Sequence, residues 1–76
     1  MTLNQLKIGE KGIVKKINTT NKELRRRMLD MGITTRVVIE MKRISPLGDP
    51  IDIKLRGYEL CMRRKELENI EIEVFK

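Results

Sequence analysis

The chain has 76 residues, of which 39% are hydrophobic and 37% are charged, and its net charge is +6 at neutral pH. A chain of this length supports one domain with a thin core, so we expect residues 1–76 to form a single domain without a deep substrate cleft. The sequence has no histidine and one cysteine, which excludes an internal disulfide and leaves little for zinc binding or histidine-based catalysis.

The first predicted element is a strand over residues 13–18, with the apolar residues Ile13 and Ile17 on the face expected to point inward. A helix is predicted next, and both of its ends carry a signal. Thr20 and Glu23 have the spacing of a capping box at the N-terminus. Gly32 suits the left-handed position that follows a helix C-terminus.

One face of this helix is apolar, because Leu24, Met28 and Met31 recur at the spacing of helical turns. The other face carries the three arginines of residues 25–27. Arginine can grip carboxylates in a bidentate fashion, so this face is a candidate contact for an acidic partner. The alternative is the ordinary solvated face of an amphipathic helix.

After the helix the apolar period changes to two, which predicts four further strands. Their inward-facing residues are Val37, Ile39 and Met41, then Ile51, Ile53 and Leu55, then Tyr58, Leu60 and Met62, and finally Ile70, Ile72 and Val74. Residues 45–50 form a turn cluster, Arg56-Gly57 separates two strands, and residues 64–68 have the length of one helical turn.

About five short strands and one early helix indicate a mainly β fold. Curling so small a sheet into a barrel would bury its apolar face and protect its edges. We therefore predict a small SH3-like antiparallel β-barrel with one α-helix inserted after the first strand, and an OB-like barrel is the rival.

Charge and hydropathy set the expected location and partners. The longest aliphatic run is Val37-Val38-Ile39, and the N-terminus lacks a secretory signal, so we expect a cytosolic protein. Residues 15–43 contain nine basic and three acidic residues, a concentration that favours acidic partners. Nucleic-acid binding is less favoured because only Tyr58 and Phe75 are available for base stacking.

The remaining chemical groups are interpreted as structural. Asp49 and Asp52 alone offer too few oxygens for a hard cation and no histidine for iron, so their loop is read as a rigid hairpin turn. Cys61 lies on the polar phase of its strand and is read as incidental. The methionines at helix and strand spacing, Met28, Met31, Met41 and Met62, are predicted to fill the core.

Several segments, taken in order, resemble the FeoA domain family. They are Leu6 to Ile13 with its two glycines, Arg27 to Ile33, Pro46 to Ile53, Arg56 to Arg63 and Ile70 to Val74. The string Pro-Leu-Gly-Asp-Pro-Ile is the most recognisable of these. One departure is Thr35-Arg36, where family members often have Pro-Gly, and an arginine would be strained at a left-handed position.

The resemblance implies a cytosolic, non-enzymatic partner of FeoB, a membrane ferrous-iron transporter with a cytosolic GTPase domain. The residues themselves predict no cofactor, no catalytic residue and no metal site, and the partner is expected to recruit the chain to the inner face of the cytoplasmic membrane. The candidate partner-binding residues are Arg26, Arg27, Leu29 and Arg63. Three alternatives stay open: a weak homodimer, a nucleic-acid-binding barrel, and a regulatory barrel related to the C-terminal domain of DtxR-type repressors.

Overall fold

The computed structural model describes residues 1–75 and shows a mainly β fold. The five strands are β1 (Lys11–Ile17), β2 (Val38–Ile44), β3 (Ile51–Leu55), β4 (Tyr58–Met62) and β5 (Ile70–Phe75). The nine-residue helix α1 (Lys22–Asp30) lies between β1 and β2, and the short helix α2 (Arg64–Leu67) lies between β4 and β5. A 3₁₀ turn over Leu3–Gln5 precedes β1.

All five strands belong to one antiparallel sheet with the order β4-β3-β2-β1-β5. Strand β1 joins the two parts of this sheet, because residues 11–13 pair with β2 while most of its length pairs with β5. The predicted architecture, about five antiparallel strands with one helix inserted after the first, is therefore confirmed.

The core is built from the alternating positions of the strands. Ile39 and Met41 of β2 and Ile53 of β3 have no exposed surface. Met28 of α1 and Met62 of β4 are buried with them, which confirms the predicted core role of these methionines. Each fully buried side chain of this size contributes roughly 1.5–3 kcal/mol, so a few such positions decide whether so small a domain folds.

Strand β1 departs from the predicted phase. Gly12 and Val14 are buried, whereas Ile13 is only half-buried and does not face inward as predicted. A bulge between Val14 and Lys16 then shifts the alternation, and Ile17 returns to the core. A bulge inserts one residue into the pleat, so strict alternation gives the wrong phase on one side of it.

The N-terminus of α1 lies one residue later than the capping box predicts. The N-cap is Asn21, whose Oδ1 accepts a hydrogen bond from the Leu24 N–H at 3.0 Å, so the Thr20 prediction is wrong. Asparagine and threonine are both good caps, and sequence spacing alone did not choose between neighbours. At the other end Gly32 has φ of +91°, which confirms the predicted left-handed position.

Tyr58 does not join the core beside Met62, contrary to its predicted phase. Its side chain is 40% exposed, and its hydroxyl donates a hydrogen bond to the Met31 carbonyl at the end of α1. Carbonyls of the last helical turn have no partner within the helix, so this contact satisfies one of them. Arg56 adds a hydrogen bond to Thr34 Oγ1 at 3.0 Å, so the β3–β4 hairpin holds the segment that follows the helix.

The turn before β2 holds Arg36 at φ of +76°, the left-handed conformation that glycine adopts without strain. We expect Arg36→Gly to raise the free energy of unfolding by about 0.5–1 kcal/mol, because relief of strain outweighs the extra entropy of glycine in the unfolded chain. Urea unfolding would measure the change. Arg36→Ala removes the same charge without relieving the backbone, and equal gains in both variants would contradict the explanation.

Candidate docking surface

The exposed face of α1 carries a stripe of basic and apolar side chains. Burial of Met28 fixes the rotation of the helix and turns the opposite residues outward. Lys22, Arg26 and Leu29 are spaced at i, i+4 and i+7, so they are neighbours on the exposed surface. Leu29 is 47% exposed and adds apolar surface to this stripe.

Arg27 has a different environment from its neighbours. Its guanidinium forms an ion pair with Glu66 of α2, 39 residues away in sequence. The other Glu66 oxygen accepts a hydrogen bond from the Arg63 N–H at 3.0 Å. Glu66 therefore brings Arg27 and Arg63 together, whereas Arg26 has no ion pair within the described part of the chain.

The four predicted site residues thus lie around one junction between α1 and α2. Arg26 and Leu29 are on the exposed stripe of α1, and Arg27 and Arg63 flank the carboxylate of Glu66. Glu66 was not among the predicted site residues, because no local pattern pairs it with Arg27. The available signal was that Glu66 stands three residues after Arg63, which is the spacing of a capping contact.

On the outer face of the sheet, basic and acidic side chains lie opposite one another, unlike the basic stripe of α1. Lys11, Glu40, Lys54 and Glu59 stand opposite one another on four successive strands, in alternating sign. Arg43 adds hydrogen bonds to Asp52 at 3.0 Å and to Glu59 at 2.8 Å. Exposed pairs of this kind add little stability, but they reduce the positive potential of this face.

This distribution disfavours single-stranded nucleic acid on the sheet. A nucleic-acid-binding sheet needs exposed aromatic side chains within a basic groove. Tyr58 is tethered to the Met31 carbonyl, and Phe75 is at the far end of β5 opposite Lys11. The two aromatic residues therefore do not form a stacking platform.

The carboxylates of the loop between β2 and β3 have structural partners. Asp49 Oδ1 accepts a hydrogen bond from the Arg64 N–H at 2.6 Å, so it caps the start of α2. Asp52 binds Arg43 on the sheet. The two side chains serve different elements, and residues 1–75 contain no cluster of three or more metal-ligating side chains.

Cys61 faces outward from β4, opposite Asp52 of β3. Desolvation, then a hydrogen bond and charge repulsion from Asp52, raise the pKa of Cys61, so its reactive thiolate form is scarce at neutral pH.

We expect alkylation of Cys61 by iodoacetamide to be slow at mildly alkaline pH. Asp52→Asn should accelerate it by lowering that pKa, as mass spectrometry would show, and an unchanged rate would contradict the role of Asp52.

No helix within residues 1–75 has the length and apolar character that a membrane crossing requires. The longer helix, α1, has nine residues and carries four basic side chains.

Fold and surface together define a class of protein, a small SH3-like domain with a basic stripe on the exposed face of its inserted helix. The model of the FeoA domain matches residues 1–74, so the chain belongs to the FeoA domain family. This family is linked to ferrous iron transport.

Two relatives illustrate the relationship. The solution structure of the FeoA protein from Chlorobium tepidum is 34% identical with a TM-score of 0.92, over 100% of this chain and 71% of that chain. A curated relative from Porphyromonas gingivalis, named Fe(2+) transport protein A/Fe(2+) transporter FeoB fusion protein, is 27% identical over 74 residues. That match covers 97% of this chain but only 9% of the fusion protein.

More distant likenesses show the fold alone. FeoA from Stenotrophomonas maltophilia, described as a procaryotic SH3 domain protein, is 20% identical with a TM-score of 0.85, over 96% of this chain and 89% of that one. A manganese-dependent transcriptional repressor is 14% identical with a TM-score of 0.91, over 99% of this chain and 36% of that one. These matches confirm the predicted SH3-like class and the expected likeness to metal-dependent repressors.

Proposed function

We propose that this chain is a cytosolic accessory protein of ferrous iron uptake that docks on the cytosolic region of a FeoB-type transporter. The observation that carries the proposal is the Porphyromonas gingivalis fusion protein, in which a region similar to this chain shares one polypeptide with the transporter. Fusion raises the effective concentration of one domain at the other, which is useful where the two make contact. Docking would also recruit the chain to the inner face of the cytoplasmic membrane.

The α1–α2 junction is the surface that best fits this role. Arg26 and Leu29 combine an exposed cation with an exposed apolar side chain on one helix stripe. The ion pair between Arg27 and Glu66 links α1 to α2 at this surface. An acidic partner face with a small apolar contact would complement it, and charge complementarity would speed the encounter.

The chain would act by contact and not by catalysis. It has no histidine, and the carboxylates of Asp49, Asp52 and Glu66 are hydrogen-bonded to arginines or to backbone N–H groups. A general base needs an unoccupied acceptor with a tuned pKa, and these groups serve as structural acceptors. The sequence contains no Gly-x-x-x-x-Gly-Lys phosphate loop, so any turnover of GTP would belong to the transporter.

Calorimetric titration of the isolated cytosolic domain of the transporter with this chain tests the proposal. We expect saturable binding at about 0.15 M salt that weakens as the salt concentration rises, because the contact joins opposite charges. Absence of binding by the folded chain at this salt concentration would overturn the proposal.

Charge reversal at one position tests the surface. Arg26→Glu should weaken binding about tenfold or more, since it converts an attraction into a repulsion at the interface. Lys15→Glu makes the same charge change on β1, where Lys15 pairs only with exposed Glu73, and serves as the matched control. Equal losses in the two variants would show that net charge, and not the α1 surface, governs binding.

A further inference from the structure

The two most exposed large apolar side chains of residues 1–75 lie near one groove. Leu47 is 96% exposed and Ile8 is 61% exposed. Ile8, Ile44, Pro46 and Pro50 form the apolar part of a groove of about 370 Å³, which Arg43, Ser45 and Asp52 also line. Leu47 belongs to the loop that supplies both prolines. We refer to Leu47 and the four apolar residues of the groove as the apolar loop surface. It leaves apolar area in water that a contact would bury.

The loop that carries Leu47 is held in place from both sides. The Gly48 N–H donates a hydrogen bond to the Ser45 carbonyl at 2.7 Å, which closes the turn. Arg64 binds the loop twice, through its backbone N–H to Asp49 at 2.6 Å and through Nε to the Gly48 carbonyl at 3.3 Å. Leu47 is therefore displayed on an ordered loop, so binding there requires little additional ordering.

Helix α2 connects the loop of Leu47 to α1 through two sets of polar contacts. Arg64, which binds the loop, is the first residue of α2. Glu66 of the same short helix binds Arg27 of α1. Helix α2 is thus bonded both to the loop that carries Leu47 and to α1.

We propose that Leu47 is the apolar anchor of the transporter interface and inserts into an apolar pocket on the cytosolic domain, bordered by carboxylates that face the basic side chains of α1 and α2. This inference rests on the proposed function, and it adds a second contact to the surface predicted from the sequence. The groove beside Leu47 receives an apolar side chain from the same partner.

The shape of this region favours a protein partner over a lipid surface, and its charge opposes a second copy. A concave groove next to a projecting leucine complements an irregular protein surface, whereas a flat lipid interface leaves the groove unfilled. A second copy carries the same net charge of +6, so its approach is opposed at long range.

Binding of the transporter's cytosolic domain to Leu47→Ala and Leu47→Asp tests the inference. Because Leu47 is almost fully exposed, both variants should keep the unfolding curve of the wild type. Loss of a buried leucine contact predicts a rise in Kd of about tenfold to a hundredfold for Leu47→Ala, and a larger rise for the aspartate. Phe75→Ser removes an exposed aromatic residue on β5 and should leave Kd within about twofold.

The outcomes separate this inference from the proposed function. If the wild type fails to bind, the proposed function falls and the inference falls with it. If the wild type binds and both Leu47 variants bind equally well, the function stands and the inference is wrong. The inference is also wrong if the Leu47 variants instead lose self-association in sedimentation or binding to anionic phospholipid vesicles, while transporter binding is unchanged.

Discussion

Met28→Ala is expected to lower the free energy of unfolding by about 2–5 kcal/mol. Met28 is the one fully buried side chain of α1, so it carries much of the packing between the helix and the sheet. Alanine is the best helix former, so the loss would come from the cavity and not from helix propensity. For a domain of this size, total stability is only about 4–11 kcal/mol, and the variant should be partly unfolded at moderate temperature.

Urea unfolding followed by circular dichroism measures this effect. Leu29→Ala is the matched control, because it removes a side chain from the same helix at a position that is 47% exposed. We expect the control to change stability by roughly 0.5 kcal/mol or less. Equal losses at the two positions would contradict the packing of α1 through Met28.

Gly12→Ala is expected to lower the free energy of unfolding by about 1–3 kcal/mol, because it overpacks the core between β1 and β5. A Cβ atom at Gly12 would lie 2.4 Å from Cδ1 and 3.2 Å from Cβ of Ile72. The first contact is far inside van der Waals distance, and the second involves an atom that is fixed to the backbone. The strand must therefore shift or Ile72 must change rotamer.

A double-mutant cycle tests the identity of the clash. Ile72→Val removes the Cδ1 atom and should cost about 0.5–1.5 kcal/mol alone. In the Gly12→Ala background the same change should cost less or raise stability, which gives a coupling energy of about 1 kcal/mol or more. Additive effects would show that the destabilisation at Gly12 arises elsewhere.

Local patterns predicted most of the fold because most of its elements are regular. The alternation through Ile39 and Met41, and again through Ile51 and Ile53, assigned β2 and β3 to the correct faces. The pattern failed at β1, where the bulge changes the phase and Ile13 is not inside. The bulge depends on the pairing of β1 with β5, almost sixty residues away. The local sequence of β1 therefore does not predict it.

The predicted burial of Tyr58 and the predicted N-cap of α1 were the other two errors. Tyr58 has the phase of a core residue, but its hydroxyl requires a partner and finds the Met31 carbonyl beside the surface. Thr20 and Asn21 both suit the N-cap of α1, and the side chain that reached the Leu24 N–H was that of Asn21. The partner of Tyr58 lies 27 residues away in the chain, so only the folded structure identifies it.

The candidate docking surface was partly visible in the sequence. The basic face of α1 follows from helical spacing, and Leu29 falls beside Arg26 for the same reason. The ion pair between Arg27 and Glu66 could not be inferred, because it joins residues 39 apart that only folding brings together. Leu47 was overlooked because its loop was read as a rigid turn, and a turn residue is normally exposed.

Isotope-edited NMR of this chain during titration with the transporter's cytosolic domain tests the docking surface most directly. The surface proposed here predicts that the largest amide shift changes fall on α1, on α2 and on the loop of residues 45–50. Shift changes confined to the outer sheet face around Lys54, or no changes at all in a folded chain, would contradict it.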